Sequence, residues 1–332
     1  MDISRLSSIL QGEARYRFKQ AYTALYRDLI SSWSEVSVLP IALRERLDEE
    51  CPLLIESSLS GGKKTQKALI TFSDGAAVET VLIRHRDGRN TVCLSSQAGC
   101  PLNCAFCATG ANGFLRNLSS GEIVEQFFFW ARHLKTEGGK IDNVVFMGMG
   151  EPFLNYDQFI KAAKDLNDPE KFSFASRRLS VSTAGIIEGI RKLSREKMQM
   201  NLAISLHAAN DSLRQQLMPI AQRYPLDSLM RAVDEYIRLT SRRVMFEYLM
   251  LKNINDSEDD AQELALLMKK PLHLVNLIPY NPTGRFQPSS PQRIKAFKEK
   301  LESAGIAVTS RHSLGNEIEG ACGQLAGKKR SK

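Results

Sequence analysis

The chain has 332 residues, 43% of them hydrophobic and 25% charged, a balance that excludes a disordered or fibrous chain and suits one large α/β domain with a smaller appendage. No apolar run reaches the roughly 20 residues that cross a bilayer, and "MDISRLSSIL" lacks the basic head and apolar segment of a signal peptide, so the expected setting is cytoplasmic with no membrane contact. The net charge of +8 suits a polyanion partner, because neutralising phosphates releases counterions.

In chain order, residues 1–60 read as helical, with apolar positions at helical spacing through "YRFKQAYTALYRDLI" and "LPIALRERL". This predicts a small accessory domain whose Arg15, Arg17 and Lys19 can meet phosphates, and a half-buried Cys51. "ECPLLIESSLSGGKKTQ" interrupts the pattern as a linker. "KALITFSDGAAVETVLIRH" then reads as two strands around a Ser-Asp-Gly turn, so residues 61–90 are expected to hold a linker and a β-hairpin extension.

From residue 91 to 315 strands and helices alternate. "TVCLS", "NVVFMG", "RLSVST", "MNLAISLH", "RRVMFEYLML" and "HLVNLIPYN" are near-continuous apolar runs, which argue for a parallel sheet covered by helices. Six such units can curve into an open barrel. Ser119 and Glu122 carry a capping-box pattern at the start of "SSGEIVEQFFFWARHLKT". A further strand-like piece, "IAVTSRHS", precedes a Gly-rich loop and a basic tail over residues 316–332. Arg177, Arg178, Arg242 and Arg243 stand at strand starts, where they either meet phosphates or are solvated.

Four of the six cysteines fall in "CLSSQAGCPLNCAFCATG". Cys100, Cys104 and Cys107 have C-x3-C-x2-C spacing on the loop after the first barrel strand. Three thiolates so close together suit an iron-sulfur cluster, which normally takes four and would here keep one iron open. A zinc site completed by a distant residue is the alternative, although the chain has no second C-x2-C knuckle.

That motif after the first strand of a βα barrel resembles the radical SAM superfamily. Together with "MGMGEPFLN", "LAISLHAAND", "NLIPYNP" and "ACGQLAG", the stretch is similar to the RlmN/Cfr family of radical SAM RNA adenine methyltransferases, from about residue 12 through Gly327. The resemblance implies a radical SAM partial (βα)6 barrel with the N-terminal helical domain and hairpin attached. It implies one [4Fe-4S] cluster on Cys100, Cys104 and Cys107, and S-adenosyl-L-methionine on its open iron, cleaved to a 5′-deoxyadenosyl radical.

Adenine C2 and C8 are electron-poor carbons with no electron pair to attack a sulfonium, so a radical route has a chemical reason. On the family pattern Cys322 carries a methyl group that becomes a methylene radical, Cys93 resolves the protein–RNA crosslink as a disulfide, and Glu79 is the proton acceptor. Gly150, Glu151, Ser182, Ser205, Leu206, His207 and Asn281 match cofactor-contact positions. Large-subunit ribosomal RNA and transfer RNA are the implied substrates, presented unstacked, with an electron donor such as flavodoxin and a monomeric enzyme. "GNEIEGACGQL" departs from the "GDDI" typical of RlmN proteins and "DEYIRLTSRRV" looks closer to Cfr, while "GMGEP" looks closer to RlmN. The ring position therefore stays open, with C2 preferred as the widespread activity. An activase acting on a protein partner is the competing reading, and it leaves Cys93 and Cys322 unused.

Overall fold

The computed structural model describes residues 3–53, 55–310, 315 and 318–327. Three helices, α1 (Ile3–Ile9), α2 (Arg15–Tyr26) and α3 (Ile41–Glu50), open the chain. Trp33 lies fully buried among them and donates its indole N–H to the Cys51 carbonyl at 2.9 Å. Cys51 is fully buried rather than half-buried, since α3 ends on it and turns it inward. The helices share one apolar core with the rest of the molecule: the Tyr26 ring meets Phe128 at 5.5 Å and Phe172 at 5.1 Å.

Next come β1 (Glu56–Gly61), β2 (Thr65–Thr71) and β3 (Ala77–Arg84), an antiparallel meander that continues into β4 (Asn90–Cys93). The expected hairpin is β2–β3. Strand β1 corrects the expected linker and crosses the expected boundary at residue 60; it is an edge strand with nearly every residue exposed, so it carries no apolar alternation to read.

The chain then forms a separate two-stranded ribbon, β5 (Gln97–Gly99) and β6 (Phe114–Asn117), with the short helix α4 (Ala108–Ala111) between. Helix α5 (Ser120–Thr136) follows, and its capping box is formed: Ser119 Oγ accepts from the Glu122 amide at 3.2 Å and Glu122 accepts from the Ser119 amide at 2.8 Å.

Six more strands run parallel to β4 in the order of the chain: β7 (Asn143–Phe146), β8 (Leu179–Thr183), β9 (Asn201–Ser205), β10 (Val244–Met250), β11 (His273–Pro279) and β12 (Val308–Ser310). Helices α6 (Tyr156–Asn167), α7 (Ile187–Leu193), α8 (Asp211–Leu217), α9 (Leu226–Thr240), α10 (Glu258–Leu267) and α11 (Pro291–Ser303) connect them. This is the open partial barrel that the apolar runs and the resemblance imply, with β12 added at its far edge.

Phe146 of β7 packs on Phe159 of α6, ring centroids 4.9 Å apart, so this face of the sheet is the helix-covered one. Side chains alternate along a strand. Val145, and across the register Cys93 and Ser180, therefore face the concave side. Arg177 and Arg178 lie on a turn before β8, and Arg242 precedes β10, where it donates to Asn201 Oδ1 at 2.8 Å. These arginines sit at the N-terminal strand ends, away from the end that carries the cysteine loop.

Phe159 is fully buried between α6 and β7. Phe159→Ala is expected to lower stability by about 3–5 kcal/mol through lost burial and an unfilled cavity, measured by urea unfolding; a loss below about 1 kcal/mol would mean the α6–β7 interface repacks.

Candidate active site

The site is built at the C-terminal ends of the parallel strands, where barrel sites form. β4 ends at the buried Cys93. The chain is then tied down before the cysteines: the Leu94 amide donates to Val145 O at 2.9 Å, Ser95 Oγ donates to Glu79 O at 2.6 Å, and the Met149 amide donates to Ser95 Oγ at 2.8 Å. The β5–β6 ribbon frames the cysteine loop at its base, the Cys100 amide reaching Gly113 O at 2.9 Å. On its far side the Ala105 amide donates to Leu217 O of α8 at 2.9 Å.

Cys100, Cys104 and Cys107 are each half-buried. Burial pushes the Cys100 thiol up to about 12, with Glu151 and Cys107 adding repulsion. Burial likewise holds the Cys104 thiol well above its ordinary range, with repulsion from the other two. Such thiols ionise when a cationic metal compensates them. Among the described residues no three His, Cys, Asp or Glu side chains converge tightly enough to chelate one ion. Three soft thiolate donors on one loop fit the ligand chemistry of an iron-sulfur cluster.

The loop after β7 carries Gly148, Gly150 and Glu151. The family pattern makes Gly150 a cofactor contact, and the structure gives a packing reason for its lack of a side chain. A Cβ on Gly150 would stand 2.5 Å from Gln97 Cβ, at a φ of +94° that side chains avoid. Gln97 Oε1 accepts the Glu151 amide at 2.8 Å. Glu151 is buried, its oxygens accepting the Phe153 amide at 3.0 Å and the Ala184 amide at 2.7 Å, so it links the loops after β7 and β8. Burial pushes its carboxyl up to about 7 against those hydrogen bonds. Each oxygen keeps a lone pair for a further donor.

Ser182 and Ser205 face the concave side, their hydroxyls 3.5 Å apart. Leu206 is fully buried and offers only backbone, its amide taken by Glu247 O at 3.0 Å. His207 is buried in a left-handed conformation at φ 59°, accepts the Leu249 amide on Nδ1 at 3.1 Å and meets the Phe106 ring of the cysteine loop edge-on at 4.7 Å. Asn281 donates to the Cys322 carbonyl at 3.2 Å, while its buried Oδ1 has no partner among the described residues, an acceptor suited to a ligand's donor.

Cys322 is exposed, on a loop laid over the cysteine loop. The Ala108 amide donates to Gly323 O at 2.8 Å, Thr109 Oγ1 to Leu325 O at 2.6 Å, and Asn112 Nδ2 to Ala326 O at 3.2 Å. Glu79 is buried and accepts the Ala326 amide at 2.6 Å. The structure thus brings Glu79, Asn281 and the cysteine loop against the Cys322 loop. None of the six cysteines is in a disulfide. Residues 316–317 of the expected loop and the basic tail after Gly327 lie outside the described residues.

Sequence reading missed several polar groups of this site. Arg214 of α8 is fully buried, donating to Ala184 O at 2.8 Å and Tyr224 O at 3.2 Å; burial lowers its guanidinium to about 10. Glu247 of β10 accepts from Asn276 at 2.7 Å on the concave side. A lone carboxylate inside "VMFEYLM" was the available signal for the latter.

A parallel half-barrel with three cysteines spaced C-x3-C-x2-C after its first parallel strand defines a radical SAM protein, and the family model described as Radical SAM superfamily matches residues 94–265. A radical SAM methyltransferase from Sphaerobacter thermophilus superposes with a TM-score of 0.93 at 41% identity, covering 98% of this chain and 96% of that one. Two relatives named probable dual-specificity RNA methyltransferase RlmN are similar along nearly their whole length. That from Chloroflexus aurantiacus is 44% identical over 98% of this chain and 92% of its own, and that from Syntrophomonas wolfei 42% over 98% and 95%. The chain belongs to the RlmN/Cfr family of radical SAM RNA methyltransferases.

Burial drives the His207 pKa down from 6.5 to about 3, with the Arg214 charge contributing. Its folded-state pKa is depressed, so its contribution is fully present above about 6.5 and is lost as pH falls from there towards 3. Within that window it steepens the loss of stability by about 1.4 kcal/mol per pH unit. Asn tolerates the left-handed backbone, and His207→Asn is expected to flatten the fall between pH 6.5 and pH 4.5 by about one proton's slope. Urea unfolding of both proteins across this range tests it; parallel curves would rule out a neutral, buried His207.

Proposed function

We propose that the chain is a cytoplasmic RNA adenine methyltransferase that modifies C2 of an adenosine in large-subunit ribosomal RNA, and in transfer RNA. The observation that carries the reading is the Cys322 loop, hydrogen-bonded to the cysteine loop through Ala108 and Thr109 and to Asn281 through the Cys322 carbonyl. A thiol held there serves a reaction at the cysteine loop, and only a methyl-carrying role in this family calls for one.

Cys100, Cys104 and Cys107 would hold the [4Fe-4S] cluster. Glu151, Ser182, Ser205, His207 and Asn281, with the backbone of Gly150 and Leu206, would line the S-adenosyl-L-methionine site. When bound, the cluster supplies the electron that cleaves the sulfonium and so provides an adenosyl radical. Cys322 takes a methyl group on sulfur by displacement and later yields one of its hydrogens, leaving carbon-centred reactivity facing the base. The ring carbon that bonds to the methylene loses its proton to Glu79, and the ring's odd electron passes to the flavodoxin-type carrier. Cys93, on the concave face, then attacks the Cys322 sulfur: the S–S bond forms, the S–CH2 bond breaks, and the electron pair left on that carbon takes up a proton to complete the methyl group. A flavodoxin-type donor suits the electron supply, and a monomer suits entry into folded RNA. No helix among the described residues is long and apolar enough to cross a membrane.

Nucleoside mass spectrometry of ribosomal and transfer RNA tests the reading in cells lacking the protein and in cells complemented with wild type or Cys322→Ala. The expected result is 2-methyladenosine restored by wild type alone. Appearance of 8-methyladenosine instead would move the reaction to C8, and no change in either nucleoside would overturn adenine methylation.

A further inference from the structure

One buried ion pair grips the Cys322 loop on both sides. Lys67 Nζ lies 2.7 Å from Glu79 Oε1, the two side chains 9% and 5% exposed. The register pairs Leu69 with Glu79 and Lys67 with Val81, which puts both ions on the concave face with Cys93, opposite Val81 on β4. Each ion also reaches the loop. Lys67 Nζ donates to the Glu319 carbonyl at 3.2 Å, before Cys322 in the chain. Glu79 Oε2 accepts the Ala326 amide at 2.6 Å and the Gly327 amide at 3.2 Å, after it. Between these anchors the thiol itself stays exposed.

A buried ion pair contributes little to stability over an apolar pair of the same size, and its better-attested use is to fix one arrangement among several. Here the arrangement fixed is that of the loop. We infer that Lys67 and Glu79 form a charge clamp that holds the Cys322 loop over the cysteine loop, and that Lys67 is a positioning residue for the Cys322 thiol. The inference rests on the reading of Cys322 as the methyl carrier. It goes beyond the proton-acceptor role of Glu79: the ion pair and both amide contacts are charge-assisted, so the carboxylate also holds the loop in place.

The test uses the full-length reconstituted protein with wild type, Lys67→Met, Lys67→Arg and the double variant Lys67→Met/Glu79→Gln, the last removing both buried charges so that neither is stranded. Hydrogen exchange of the 318–327 peptide and the rate of Cys322 alkylation by iodoacetamide are read by mass spectrometry, along with methyl occupancy of Cys322. Lys67→Met and the double variant are expected to exchange the loop about tenfold faster, as for one charge-assisted hydrogen bond lost. They are also expected to alkylate Cys322 faster and carry less methyl on it, while barrel peptides keep wild-type exchange. Lys67→Arg, which keeps the charge, should stay near wild type. Wild-type loop exchange and alkylation in a folded double variant would overturn the clamp. A wild-type protein that never carries methyl on Cys322 would instead overturn the methyl-carrier reading, and the positioning role with it, whatever the exchange data show.

Discussion

The site depends on the strand register that sets Lys67 beside Val81 and Val81 beside Cys93. Because side chains alternate, a one-residue slip anywhere across β2, β3 and β4 would turn one of these residues to the helix-covered face. The register is held by burial on both faces: Val78, Leu82 and Val92 are packed on one side while Glu79, Val81 and Cys93 are buried on the other. The same row runs on through Val145 and Ser180, so the antiparallel meander and the parallel barrel are one continuous sheet. The meander belongs to the reaction site because it supplies the residues that hold the C-terminal loop.

The loops at the strand ends are joined mainly by single buried polar side chains. Glu151 ties the loop after β7 to the loop after β8, Arg214 ties the loop after β8 to the segment following α8, and Asn281 ties the end of β11 to Cys322. Each is bound mostly to backbone, whose groups are present whatever the neighbouring side chains are. Such contacts fix positions to a fraction of an ångström while leaving lone pairs and donors for a ligand. His207 adds a neutral imidazole edge-on to Phe106 of the cysteine loop.

Much of this was legible in the sequence because it is local. The six parallel strands follow from apolar runs, the hairpin from its Ser-Asp-Gly turn, and the start of α5 from Ser119 and Glu122, all within one element's reach. The class of site followed from three cysteines in eight positions, Cys100 to Cys107. Strand β1 was hidden because an exposed edge strand has no buried face to pattern, and the β5–β6 ribbon because three and four residues are too few for alternation to register. Arg214 reads from "DSLRQQL" as a solvated helix residue; its burial depends on carbonyls of Ala184 and Tyr224 that the sequence does not place nearby. Lys67 was hidden in part for the same reason: Glu79 lies one hairpin away, but the Glu319 carbonyl that Lys67 also meets is 252 residues away.

On the proposed reading, Cys100, Cys104 and Cys107 would hold a four-iron cluster with one iron left for the amino-acid end of the sulfonium. Mössbauer spectroscopy of the anaerobically prepared protein, with and without S-adenosyl-L-methionine, tests it most directly. Four irons per chain are expected, with one whose signal shifts when the ligand is added. One zinc per chain without iron, or an iron spectrum that the ligand leaves unchanged, would contradict it.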